Sequence, residues 1–134
     1  MSQLLTRDIE ISWGDLDAFG HVNNAAYLRY MEDTRVSWLS GLDESWVSDG
    51  YGPAVVNINI NFRQEILFPA KLRVSLSISQ PSEKRVMNQY VISDRDNPDN
   101  VFADAELTLV WIDKKTRRSI PVPAMIRKSL DQGA

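Results

Sequence analysis

The chain has 134 residues, 43% hydrophobic and 25% charged, with 15 basic and 18 acidic side chains for a net charge of −3. That length and balance fit one domain spanning 1–134 around a single core, and the negative charge argues against a nucleic-acid partner. Cysteine is absent, which excludes disulfides, thiolate metal sites and a cysteine nucleophile. With no signal-peptide apolar region or membrane-length run, a cytoplasmic protein without a membrane partner is expected.

The first element is "RDIEISW", which sets Ile9, Ile11 and Trp13 against Asp8, Glu10 and Ser12. Alternation of that kind predicts a half-buried strand. A polar stretch, "GDLDAFGHVNNAAY", follows. Next comes "AAYLRYMEDTRVSWLSG", where Tyr27, Met31, Thr34, Trp38 and Leu42 fall on one face at helical spacing, with Leu28 and Leu39 beside them. Gly41 stands at the expected helix end. "LDESWVSDGYGP" has no readable period and is expected to be a loop or short irregular helix.

The remainder reads as strands. Val56, Ile58, Ile60 and Phe62 alternate with Asn57, Asn59, Asn61 and Arg63. After a turn at Pro69, Leu72, Val74, Leu76 and Ile78 alternate with Arg73 and three serines. "KRVMNQYVIS" is a weaker strand, and "SDRDNPDN" marks a hairpin turn. Val101, Ala103, Ala105, Leu107, Leu109 and Trp111 form one face of a long strand. A basic turn and a short closing helix beginning at Pro123 complete the chain. Short connections favour antiparallel pairing, so the expected class is α+β, with one long helix against the concave face of an antiparallel sheet.

Candidate chemistry concentrates in "GDLDAFGHVNNAAY". A calcium loop beginning at Asp15 would require an oxygen ligand where Phe19 stands and a glutamate where Ala26 stands. An aspartyl phosphatase would require a buried parallel sheet in a longer chain. Asn23 or Asn24 can cap the helix, whose first N–H groups lack helical partners. Gly20 allows a tight turn or close backbone approach. Asp17 lies close enough in sequence to face those donors, an arrangement suited to attack on a carbonyl. Capping of turns is the competing role for both Asp15 and Asp17.

"DLDAFGHVNNAAYLRYMEDTR" closely resembles the signature of the hot-dog-fold acyl-CoA thioesterases of the 4-hydroxybenzoyl-CoA thioesterase-like family, in the branch reading D-x-D-x-x-G-H-V-N-N-x-x-Y followed by a helical E-x-x-R. The matching residues are Asp15, Asp17, Gly20, His21, Val22, Asn23, Asn24, Tyr27, Glu32 and Arg35. The resemblance implies a hot-dog fold and hydrolysis of an acyl-CoA to free acid and CoA, with no metal or redox cofactor. It implies Asp17 as general base or nucleophile and the N–H near Asn24 as the carbonyl-polarising donor. Gly20, His21, Asn23 and Tyr27 would surround the substrate. A homodimer or homotetramer with active sites at the subunit interface is implied too. Lys84 and Arg85 are candidates to meet the CoA phosphates, as are Lys114, Lys115, Arg117 and Arg118.

His21 is the sole histidine and is read as structural or substrate-lining. Glu32 and Arg35 are read as a structural i,i+3 pair, although Glu32 is the rival catalytic carboxylate. The Asn57, Asn59 and Asn61 stripe is solvated or meets another subunit. Trp38, Trp46 and Tyr51 are read as core, with acyl-pocket lining as their alternative. Two other functions remain open: hydrolysis of acyl groups from an acyl carrier protein, and non-catalytic binding of an acyl thioester or a partner protein.

Overall fold

A computed structural model of the chain describes residues 2–42 and 50–132. The elements run β1 (Ser2–Glu10), a 3-10 turn (Trp13–Asp15), α1 (Asn24–Ser40), β2 (Tyr51–Phe62), β3 (Lys71–Ser82), β4 (Arg85–Asp94), β5 (Val101–Asp113), β6 (Ser119–Ile120) and α2 (Ala124–Gln132). The sheet order is β1-β3-β4-β5-β2, every pairing is antiparallel, and β6 pairs with β5. The expected α+β arrangement of a long helix and an antiparallel sheet is present.

Period-two patterning sets the core. Leu72, Val74 and Leu76 on β3 are fully buried, as are Val86 on β4 and Trp111 on β5. Each such aliphatic side chain contributes about 1.5–3 kcal/mol through removal from water. From α1 the buried residues are Ala26, Tyr27, Tyr30, Met31, Thr34, Trp38 and Leu39. The helical period thus located the inner face but missed Tyr30. Leu28, assigned to the flank, is exposed instead. Asn23 is the N-cap, its side chain accepting from the Ala25 N–H at 2.9 Å. Gly41 ends the helix in right-handed backbone, φ −84°, so glycine is not required there by a left-handed cap.

Three expectations change. The first strand stops at Glu10, and Trp13 sits on the 3-10 turn with 75% of its surface exposed. The strand ends because the Asp15 carboxylate takes the Ser12 N–H at 3.0 Å and the Asp15 N–H bonds the Ser12 carbonyl, which curls the chain. The segment "LDESWVSDGYGP" gives up Tyr51 to Pro53 to β2, while residues 43–49, Trp46 among them, lie outside the described residues. The closing helix begins at Ala124 rather than Pro123, whose carbonyl accepts the Ile126 N–H at 3.0 Å.

β2 departs most from its pattern. Val55, Val56, Ile58 and Phe62 are all exposed although they sit in a regular strand. β2 is an edge strand, and a register shift between Val55 and Asn57 disrupts its alternation. An apolar edge left uncovered within one chain is the usual mark of a surface that meets another protein.

Candidate active site

The polar stretch folds back on itself before α1 begins. The Asp17 N–H donates to the His21 carbonyl at 2.8 Å and the Gly20 N–H to the Asp17 carbonyl at 3.2 Å. Closing so tight a loop puts Gly20 at φ +84°, left-handed backbone that a side chain would strain. Asp17 Oδ1 accepts the Phe19 N–H at 2.9 Å and the His21 N–H at 3.3 Å. One carboxylate oxygen therefore caps the turn, and Oδ2 takes no hydrogen bond from the described residues.

Asp15 has the different task of holding the turn to the helix. Its Oδ2 accepts from the Tyr30 hydroxyl at 2.8 Å and its Oδ1 from Arg29. Its main-chain carbonyl takes the Asn23 N–H at 2.8 Å. Burial alone would raise the Asp15 carboxyl, but hydrogen bonds from Ser12, Tyr30 and Arg29 hold it below the ordinary carboxylate value. Burial first, and then the hydrogen bond to Asp15 and its charge, push the Tyr30 phenol up.

A cleft of about 220 Å³ opens beside this turn, lined by Asp17, His21, Val22, Asn24, Tyr27, Phe62, Arg63, Gln64 and Glu65. Asn23 takes the Ala25 N–H and, through its carbonyl, the Ala26 N–H. The Asn24 N–H, at the first helical position, has no partner among the described residues. Tyr27 is buried against Phe62 edge to face, ring centroids 5.0 Å apart. Burial raises the Tyr27 phenol, opposed by an N–H from Ile66.

The cleft thus gathers Asp17, His21, Asn24 and Tyr27. Gly20 and Asn23 shape it from the turn and the cap. Lys84 and Arg85 lie instead at the β3–β4 turn, whereas the 63–70 segment precedes the start of β3. The 12 residues of β3 separate them within one chain, roughly 35–40 Å of strand. Lys114, Lys115, Arg117 and Arg118 follow the far end of β5. The basic residue that does line the cleft is Arg63, tied to Asp104 at 2.7 Å.

Sequence reading missed Glu65, whose Oε2 lies 2.9 Å from His21 Nε2. Residues 63–70 carry no period, so nothing local marked Glu65; the His21–Leu67 bridge brings it there. Glu32 lies outside the cleft and 3.9 Å from Arg35. The largely buried Arg35 guanidinium also donates to the Tyr90 hydroxyl at 3.2 Å, which in turn donates to Asn88 Oδ1 at 2.9 Å. Its main anchor is thus a buried phenol more than the exposed Glu32. Trp38 is buried in the core cluster, and Tyr51 is partly buried at the edge of that cluster. Among the described residues no group of three or more His, Asp or Glu side chains could hold a metal ion.

Residues 11–130 match the model of the thioesterase-like superfamily. The chain belongs to that family. It is 32% identical over 127 residues to the long-chain acyl-CoA thioesterase FadM of Escherichia coli, covering 92% of this chain and 95% of FadM. Among solved structures, the PA2801 protein of Pseudomonas aeruginosa superposes with a TM-score of 0.87 at 29% identity, covering 96% of this chain and 98% of that one. YbaW of Escherichia coli superposes with a TM-score of 0.82 at 31% identity, covering 96% and 97%. The α+β fold is therefore the hot-dog fold, and the chain is a thioester hydrolase by family. No helix among the described residues is long and apolar enough to cross a membrane.

Proposed function

We propose that the protein is a cytoplasmic, single-domain acyl-CoA thioesterase that releases a free carboxylic acid and CoA. Its likeness to FadM along nearly the whole of both chains supports an acyl-CoA substrate. The observation that carries the site assignment is the sharing of one cleft by Asp17 and Asn24. The thioester oxygen accepts from the Asn24 N–H at the positive end of α1, where developing negative charge is stabilised. Asp17, through the oxygen not used in the turn, activates water or attacks the carbonyl carbon. On the second route a mixed anhydride forms with loss of CoA thiolate, and water then returns the acid and the free carboxylate. Gly20 and Asn23 hold the turn and cap in place, while His21 and Tyr27 border the substrate.

We further propose that the active protein is a homodimer or homotetramer with the cleft at a subunit interface. The uncovered apolar residues of β2 support this, because β2 ends at Phe62, a cleft residue. Lys84 and Arg85 are then placed to meet CoA phosphates only if a partner subunit brings them to the cleft. Release of free thiol from acyl-CoAs of graded chain length tests the function. Turnover with at least one acyl-CoA is expected; no thiol release at any length, from well-folded oligomer, refutes it.

A further inference from the structure

The sole histidine is held from three sides. Its backbone exchanges hydrogen bonds with Asp17, accepting the Asp17 N–H at 2.8 Å and donating to Asp17 Oδ1 at 3.3 Å. It also bridges Leu67, and the Phe19 ring stacks against the imidazole at a centroid distance of 6.5 Å. Among the described residues, Glu65 supplies the polar contact of the imidazole itself, Oε2 to Nε2 at 2.9 Å. An ionised carboxylate can only accept, so the hydrogen in that contact resides on Nε2. A neutral imidazole with Nε2–H has Nδ1 as a hydrogen-bond acceptor.

Beside the Asp17 and Glu65 carboxylates, His21 Nδ1 adds a neutral acceptor to the cleft. Arg63 only donates and is engaged by Asp104, and the Gln64 amide donates to Asn100 and to the Val101 carbonyl. Asn24 offers a backbone donor. The thiol-bearing arm of CoA contains two amide N–H groups, and each needs an acceptor once it leaves water. We infer that Glu65 is a positioning residue. By fixing His21 in the Nε2–H form, it presents Nδ1 to an amide N–H of the substrate's thiol arm. The inference rests on the cleft being the thioester site and names how the leaving-group side of the substrate is recognised there.

With a single histidine the test is unambiguous. Proton–nitrogen correlation of the imidazole at about pH 8.5, above the ordinary histidine value, should show one tautomer, Nε2–H, in the wild type. Glu65→Ala should give a tautomer mixture. CoA titrated by calorimetry should bind about three- to tenfold more weakly to His21→Ala, the range of one hydrogen bond. Glu65→Ala should lose part of that affinity, in proportion to its Nδ1–H fraction, and the double variant should add nothing to the loss of His21→Ala. Glu65→Gln, which retains a carbonyl acceptor, should bind CoA within about twofold of wild type. An Nδ1–H tautomer in the wild type, imidazole signals indifferent to Glu65→Ala, or additive losses would overturn the inference. None of these readouts needs turnover. A protein that passes them yet hydrolyses no acyl-CoA refutes only the thioesterase reading; a working thioesterase that fails them refutes only this one.

Discussion

Tyr30 donates its hydroxyl to Asp15 Oδ2 at 2.8 Å, across the junction between the 3-10 turn and the second turn of α1. Only 9% of the Asp15 side chain is exposed, and Tyr30 is a core residue. This bond clamps the catalytic loop candidate to the helix whose N-terminus it faces. Tyr30→Phe should cost about 1.5–3 kcal/mol, the range for a hydrogen bond to a charged group. Urea unfolding reads it directly; a change under about 0.5 kcal/mol, the level of an ordinary surface substitution, would show the clamp to be weak.

The same pair makes stability depend on pH at both extremes. Asp15 has a lowered folded value, so its contribution is complete above the unfolded carboxylate value of about 3.9 and lost as pH falls through the folded one. Tyr30 has a raised folded value, so its contribution is complete below about 10 and declines as pH climbs from there toward the folded value. Tyr30→Phe should therefore flatten the alkaline fall in melting temperature above about pH 10. An alkaline profile unchanged in the variant would assign that fall to other groups.

Much of this was legible in the chain. The period-two runs of β3 and β5 located their buried faces, since alternate side chains of a strand must point apart. The run of glycine, asparagine and acids marked a helix start with a tight turn before it. Pattern alone could not separate the two aspartates. Asp15 and Asp17 differ in what folds around them: a helix one turn on supplies Tyr30 to the first, and the loop's own N–H groups meet the second. Glu65 was silent for the same reason, because only tertiary pairing brings it to His21. The β2 pattern promised a buried face that a single chain does not cover.

Among the described residues, Gly20 is the glycine held in left-handed backbone. A Cβ there would meet nothing within 4 Å, so the penalty of Gly20→Ala is conformational and not steric crowding. About 1–2 kcal/mol of destabilisation is expected from left-handed backbone. Gly14→Ala is the matched control: its Cβ also meets nothing within 4 Å, and it has no positive φ. Denaturation midpoints should drop for the first and hold for the second; equal midpoints would remove the case for strain at Gly20.

If β2 meets a second copy, charge on its exposed apolar residues should prevent association. Ile58→Lys places an ammonium where 42% of an isoleucine is now uncovered. Light scattering behind size exclusion should find an oligomer for wild type and a shift to monomer for the variant, with thiol release lost alongside. A monomeric wild type that turns over normally would dismiss the interface.

The role proposed for Asp17 is to carry the chemistry of thioester hydrolysis. It is tested most directly by the kcat for thiol release of Asp17→Asn beside Glu32→Gln, each confirmed folded by its unfolding midpoint. Asp17→Asn should lose about 10²-fold or more in kcat, as expected when a general base is removed, while Glu32→Gln, exposed and outside the cleft, stays within about twofold. Full activity in Asp17→Asn with collapse in Glu32→Gln would contradict the assignment and move the catalytic carboxylate onto the helix.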